Sequence, residues 1–305
     1  MTVAADYTIR HVRYDEQIVE GKRLGRHGLV DSRSALYPFR AVERRAVTSI
    51  EHERHAPIFD QGNLGSCEGN MGVGCAATSP LFDALPGSVP TLDEHEAVAM
   101  YSLATTLDGY PGNYPPNDTG TDNTSEMKAL RQSGLISGWL NAATLDDVLQ
   151  ALMAGPVGFG IDWYDSFDQP DSGGLVRISP NAVVRGGHAI VCRRVDASRK
   201  LVGPDNSWGA SWGVKGSFWL SWADLETLLG SGGECSVPQP LTTPPPVPVP
   251  PSPPAPSPLD PALSSYLADA RLAGWASHRH VGDNGYAAAQ WLALRAHFAA
   301  LGGNE

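Results

Sequence analysis

Cys67 closes the stretch DQGNLGSC (60–67), with Gln61 six residues upstream. His188 lies far downstream in GGHAIVC (186–192), and Asn206 opens NSWG 18 residues later. A thiol, an imidazole and two carboxamides are residue types of nucleophilic catalysis, in which the thiolate attacks and a neighbouring base activates it. Type alone decides little. A free cysteine is most often a small buried hydrophobe, and that is the reading for Cys75, Cys192 and Cys235. A lone histidine in an apolar strand is usually a satisfied core residue, a lone glutamine lies on the surface, and NSWG by itself reads as a turn. Cys67 stands apart through the company it keeps.

In that company the chain resembles the papain-like cysteine peptidases, above all their bacterial and phage branch, which tends to read D-Q-G-x-x-G-S-C. The resemblance covers about residues 56–230. It rests on DQGNLGSC, YPPNDTGT (114–121), AGPVGFGI (154–161), GGHAIVC and DNSWGASWGVKGSFWL (205–220), in that order. It implies an α+β, two-lobed papain-like fold with a helical left lobe and a β-barrel-like right lobe. Cys67 would then begin the central helix, whose N-terminus stabilises a thiolate. His188 would sit across the cleft, pair with that thiolate and protonate the leaving amine. Asn206 would orient the imidazole and Trp208 would cover their bond. The Gln61 amide and the Cys67 N–H would form an oxyanion hole. Gly120, in NDTGT, would present backbone to an extended peptide, with a plain turn as the alternative. Gly187 and Glu68 complete the candidate substrate-facing positions. The implied reaction is acyl transfer to water through a Cys67 thioester, on a peptide or protein substrate (cell-wall peptide included), with no cofactor and no metal.

Three departures from the pattern carry physical consequences. Glu68 stands where an aromatic residue is usual after the nucleophile. The expectation is that it faces solvent in the first helical turn, where negative charge suits the dipole, so that Glu68→Gln changes activity modestly. Pointing into the cleft instead, it would raise a thiol pKa or select basic residues. Leu64 replaces a cysteine that often forms a disulfide, which fits folding in a reducing compartment. Gly69, Gly72 and Gly74 each cost the nucleophile helix about 1 kcal/mol against alanine; close packing between the lobes is a reason to keep them.

The elements that must position these residues divide the chain into a 1–55 arm, a 56–237 peptidase domain, a 238–258 proline-rich linker and a 259–305 helical module. Helical character marks Leu92–Leu107 and Ser125–Ser133. Pro156–Trp163, His188–Val195 and Gly216–Trp222 read as strands by their β-branched and aromatic content. Residues 1–56 carry 10 basic and 8 acidic side chains, whereas 57–241 carry 9 and 21, so the arm can lie against an acidic body. Within it, LGRHGLVDSRSALYPF (24–39) reads as packed on the domain, with occupation of the cleft as the alternative. Thirteen of the 25 prolines fall between Pro238 and Pro261, which gives an extended spacer or a docking motif. Beyond it Trp291, Leu294, Phe298 and Leu301 form one apolar stripe. A hairpin of that size is expected to pack on something: the main domain, a sister chain or a larger assembly such as a virion.

The net charge of −11 argues against nucleic-acid binding. No apolar run is long enough to span a membrane, and MTVAADYTIRHVRYDEQ lacks the apolar core of a secretory signal. EHERH (51–55) lacks the spacing of a zinc-protease helix, and SHRH (277–280) is too short to argue a metal site. The expected setting is a phage virion, as a tail-associated component; a phage lysin and a bacterial cytoplasmic peptidase are the alternatives. Two rival functions stand beside the peptidase: an assembly protein on a papain-like fold without catalysis, and an amidase or transglutaminase.

Overall fold

The computed structural model describes residues 9–12, 21–31, 37–41 and 43–241. Nearly all of the proline-rich linker and the whole expected module at 259–305 lie outside the described residues.

In chain order the elements are β1 (Ile9–Val12), β2 (Gly28–Asp31), β3 (Ile50–Glu51), α1 (Cys67–Ala76), α2 (Glu94–Leu107), α3 (Asn123–Gln132), β4 (Gly138–Asn141) and α4 (Leu145–Leu152). There follow β5 (Val157–Tyr164), β6 (Leu175–Val176), β7 (Val184–Asp196), β8 (Leu201–Asp205), β9 (Trp219–Ser221), α5 (Trp222–Gly230) and β10 (Glu234–Gln239). Helices dominate the front half and strands the back half, as expected of α+β. The main sheet is open and eight-stranded, ordered β4-β10-β5-β7-β8-β9-β6, with β3 paired to β7. Its ladders are antiparallel except β6 with β9.

There are two cores. Phe159, Ile161, Trp163, Ile190, Phe218 and Leu220 fill the strand lobe. Met71, Val73, Ala97, Met127 and Leu130 fill the helical lobe, joined by Ala189 and Val191 of β7. So β7 serves both cores, its side chains alternating between them as strand geometry requires.

Four helices begin on a side-chain cap: Asp93, Asp122, Thr144 and Ser221 each accept from a backbone N–H three residues on. Helix α1 does not, for Ser66 makes no side-chain cap bond. Its first-turn amides and dipole are therefore left to act on what lies at Cys67. All ten α1 residues are buried. The glycines permit that: a β-carbon on Gly69 would lie 2.1 Å from the Ala97 carbonyl of α2, and one on Gly74 would lie 3.2 Å from Val191 of β7.

The expected strand at Gly216–Trp222 is shorter than its apolar content suggests. Trp219–Ser221 forms the strand, Ser217 makes only isolated bridges to Asp205 and Val214, and the Ser221 hydroxyl then caps a helix that starts at Trp222.

Candidate active site

His188 sits in the middle of β7, opposite Ile161 of β5, and is completely buried. Asn206 follows directly on β8, the neighbouring strand. Its Oδ1 accepts from the Ser207 backbone N–H at 2.8 Å, which fixes the amide orientation, because only an oxygen can take that bond. The same Oδ1 lies 2.8 Å from His188 Nε2. Nε2 must then carry the proton and donate it to Asn206. Nδ1 is left as the basic nitrogen, buried and with no hydrogen-bond partner among the described residues.

Aromatic rings wall this pair in. The Trp208 ring lies 5.1 Å from the His188 ring at 31°, and the Trp163 ring meets it edge-on at 4.9 Å. Burial therefore pushes the imidazole pKa down to about 4, with the Asn206 bond pulling the other way. At neutral pH the imidazole is uncharged.

Across the cleft, Cys67 is the first residue of α1 and is also completely buried. The other thiols, Cys75, Cys192 and Cys235, are buried core residues whose pKa burial pushes up, to about 12 for Cys192.

Gln61 joins the two lobes. Its backbone N–H donates to Ser207 O, and its Oε1 accepts from the Ser207 hydroxyl at 2.5 Å. Its amide nitrogen donates to Leu64 O at 2.8 Å, Arg23 O at 3.0 Å and Leu24 O at 3.2 Å. The last two acceptors belong to the N-terminal arm, which therefore packs against Gln61.

The next residues of the arm are paired as well. Thr121 N–H donates to Gly25 O at 3.0 Å, Arg26 N–H to Gly187 O at 3.1 Å and His27 N–H to Thr121 O at 2.7 Å. Leu24 and Arg26 are only two positions apart, a span of at most about 7 Å, so Gln61, Gly120–Thr121 and Gly187 face one narrow slot. Side chains anchor the arm as well. Arg23 pairs with Asp118 at 2.6 Å, Lys22 with Asp60 at 2.9 Å and Arg26 with Glu234 at 2.7 Å. His27 Nε2 meets Thr119 O at 2.6 Å, and its ring packs on Tyr110. These pairs are the form taken by the attraction between basic arm and acidic body.

Glycine is needed where arm and cleft touch. A β-carbon on Gly25 would lie 2.3 Å from Gly65 O, and one on Gly120 would lie 2.2 Å from Gly25 O. Gly120 and Gly187 thus both meet the arm.

Glu68 does not face solvent. It is completely buried, and its carboxylate has no hydrogen-bond partner among the described residues. It turns toward α3, where Glu126 is buried in the same condition; Glu126 Oε1 would lie 2.4 Å from a β-carbon on Gly72. Burial pushes both carboxyls up, that of Glu126 to about 8. The helix covers this face, so an acidic side chain in the first turn is no guide to exposure here. The sequence reading missed Glu234, Asp118 and Arg26; the only available signal was the opposite charge of arm and body. The histidines of EHERH are structural: His52 meets Leu152 O and His55 meets the Ser79 hydroxyl.

Solved cysteine proteases share this architecture. Xylellain, a cysteine protease from Xylella fastidiosa, matches with a TM-score of 0.52 and 17% identity, over 79% of this chain and 100% of its own. Digestive procathepsin L 3 from the larval midgut of Tenebrio molitor matches with a TM-score of 0.51 and 16% identity, over 66% of this chain and 73% of its own. The chain thus has the papain-like α+β fold. No family model and no curated protein matches the sequence. Among the described residues, no helix is long and apolar enough to cross a membrane.

Proposed function

We propose that this chain is a papain-like cysteine peptidase held latent by its own residues 22–28. The observation that carries the reading is the hydrogen bond from His188 Nε2 to Asn206 Oδ1, set beside a slot already occupied by the chain's own arm. Asn206 fixes the tautomer, so Nδ1 takes the Cys67 proton, and the α1 N-terminus and the resulting imidazolium stabilise the thiolate. The thiolate attacks the scissile carbonyl carbon, and the Gln61 amide and Cys67 N–H receive the developing oxyanion. His188 then protonates the leaving amine, and water, deprotonated by His188, releases the acyl group from sulfur. Trp208 and Trp163 keep water from the His188–Asn206 bond. While the arm fills the slot, His188 is dry and neutral, and the Gln61 donors are spent on arm carbonyls.

Gly120, Gly187 and Thr121 bind the substrate main chain in this reading, and the arm marks their path. The sequence of 238–305, a proline run followed by an amphipathic pattern, supports an enzyme anchored in a larger assembly. A tail-associated phage component is the proposed setting, with a lysin as the second.

The test is intact mass after incubation with an epoxysuccinyl thiol probe, run on Arg26→Ala to loosen the arm. One adduct at Cys67, abolished by His188→Ala and slowed about 100-fold by Asn206→Ala, is expected together with cleavage of extended peptides. A Cys67 adduct rate indifferent to His188 overturns the reading in favour of an assembly protein. Amine release without chain cleavage moves it to an amidase or transglutaminase.

A further inference from the structure

The Arg26 side chain is completely buried. Its Nη2 lies 2.7 Å from Glu234 Oε2 and 3.4 Å from Gly232 O. Glu234 is a quarter exposed, so this end of the pocket meets solvent. The walls are shaped for a flat guanidinium. A β-carbon on Gly160 of β5 would lie 2.5 Å from Arg26 Nε and 2.1 Å from Asn123 Oδ1; any other residue at 160 would fill the space. Glu68 is close enough to Arg26 for the cation to oppose its burial, and Glu126, Asp122 and Glu234 are near enough to raise its pKa. Burying carboxylates together is costly unless a cation compensates them. The arm supplies one. It does so on a segment whose backbone bonds to Gly187 and Thr121 hold Arg26 over the pocket.

We infer that this acidic pocket is a specificity pocket, which selects an arginine side chain from an extended peptide bound on Gly187 and Thr121 once the arm has left. The inference rests on the peptidase reading and gives it a substrate class: peptides with arginine next to, or one residue from, the residue whose carbonyl faces Gln61. Thr121 offers one donor and one acceptor, which an extended peptide meets running in either direction. The pocket, rather than the direction of the arm, therefore sets the preference. Arginine is favoured over lysine because the space left by Gly160 beside Nε admits a flat guanidinium while Nη2 donates to Glu234 and Gly232.

The experiment uses full-length chain carrying Arg26→Ala, which empties the pocket. Binding of a fluorescent peptide with the sequence of residues 21–28 is measured on this chain with Cys67→Ser added. The peptide carries arginine, lysine or citrulline at the position of Arg26. In parallel, tetrapeptide substrates with each of these residues at each position are followed for kcat/KM. The arginine peptide is expected to bind at least tenfold more tightly than its citrulline twin, and one substrate position to show a matching preference. Glu234→Gln brings the arginine-to-citrulline ratio close to one. Gly160→Ala, which leaves the charges in place, lowers arginine binding by closing the slot. Equal binding of arginine and citrulline peptides, or no binding of either, overturns the inference. Cleavage with no arginine preference overturns it while leaving the peptidase reading intact. Arginine-selective binding without any cleavage supports the pocket and overturns the peptidase reading.

Discussion

Gly25→Ala tests the latent state most directly, because it alters the arm and leaves the cleft untouched. Gly25 has φ +119, a conformation that an alanine adopts only under strain, at a cost of about 1–3 kcal/mol. The new β-carbon would also sit 2.3 Å from Gly65 O and 2.6 Å from Gly65 Cα. Both are backbone atoms just before α1, so the overlap has no flexible side chain to relax into, and overpacking of this kind costs about 1–3 kcal/mol more. The two together penalise the closed state by about 4 kcal/mol, which multiplies the ratio of open to closed chain by roughly 1,000. None of this cost survives in the open state. Second-order rates of Cys67 alkylation by an epoxysuccinyl probe should therefore rise at least tenfold over wild type, and by up to the full factor if the open form starts out rare. Gly87→Ala serves as control, since nothing lies within 4 Å of its added carbon. A Gly25→Ala chain that melts cooperatively at the wild-type temperature yet alkylates at the wild-type rate would refute the claim that the arm is the barrier.

Two further outcomes follow from the same geometry. Acid should favour release of the arm. The His188 pKa is held at about 4 by burial; water admitted by release of the arm raises it, so closure loses stability as pH falls through the window from 6.5 to 4, by at most about 3 kcal/mol. Burial pushes the Glu68 and Glu234 carboxyls up while Arg26 pulls them down, so entry of water and loss of the cation act on them in opposite directions. Amide exchange at Arg26 and His27, corrected for intrinsic rates, should quicken across that window, and an unchanged rate would count against the linkage. Gly69→Ala tests the packing of α1: helix propensity alone favours alanine by about 1 kcal/mol. Contact with the Ala97 carbonyl at 2.1 Å reverses the sign, so thermal denaturation should begin several degrees lower; a rise in melting temperature would show that α1 and α2 can separate without cost.

What could be read in the sequence divides along a physical line. Cys67, His188, Asn206 and Gln61 stood out because the chemistry tolerates few residue types and imposes order on them, and the structure joins His188 to Asn206. The helix at Glu94–Leu107 and the strands β5 and β7 were legible because their side-chain pattern is local. Glu68 was misread because a carboxylate at a helix N-terminus has a good local reason to be exposed. Only the arrival of α3 against Gly72 makes that face an interior. The arm posed the same difficulty in another form. Nothing in LGRHG distinguishes a segment lying on the surface from one lying in the slot, since the partners that decide it, Thr121, Gly187 and Glu234, are 94 to 208 residues away.

That distance also explains why the arm and the pocket belong in one account. Gly25, Arg26 and His27 meet the cleft through features that each have a counterpart far along the chain: a missing side chain against Gly65, a guanidinium against Glu234, a ring against Tyr110. An arm that merely shielded apolar surface would need none of these matches. Apolar area alone would hold it, and its charges would stay in water, where they are better solvated. Instead a cation is drawn completely out of solvent beside carboxylates that carry their own burial cost. Such an arrangement is reasonable when the pocket has a use for a cation apart from the arm. If the pocket existed only to fasten the arm, replacing Arg26 and Glu234 together with leucine and methionine would hold the arm as well or better, as apolar replacements of buried ion pairs often do. On the specificity reading, that double variant stays latent but loses its preference for arginine once opened by Gly25→Ala. Retention of the preference would show that Glu234 serves the arm alone.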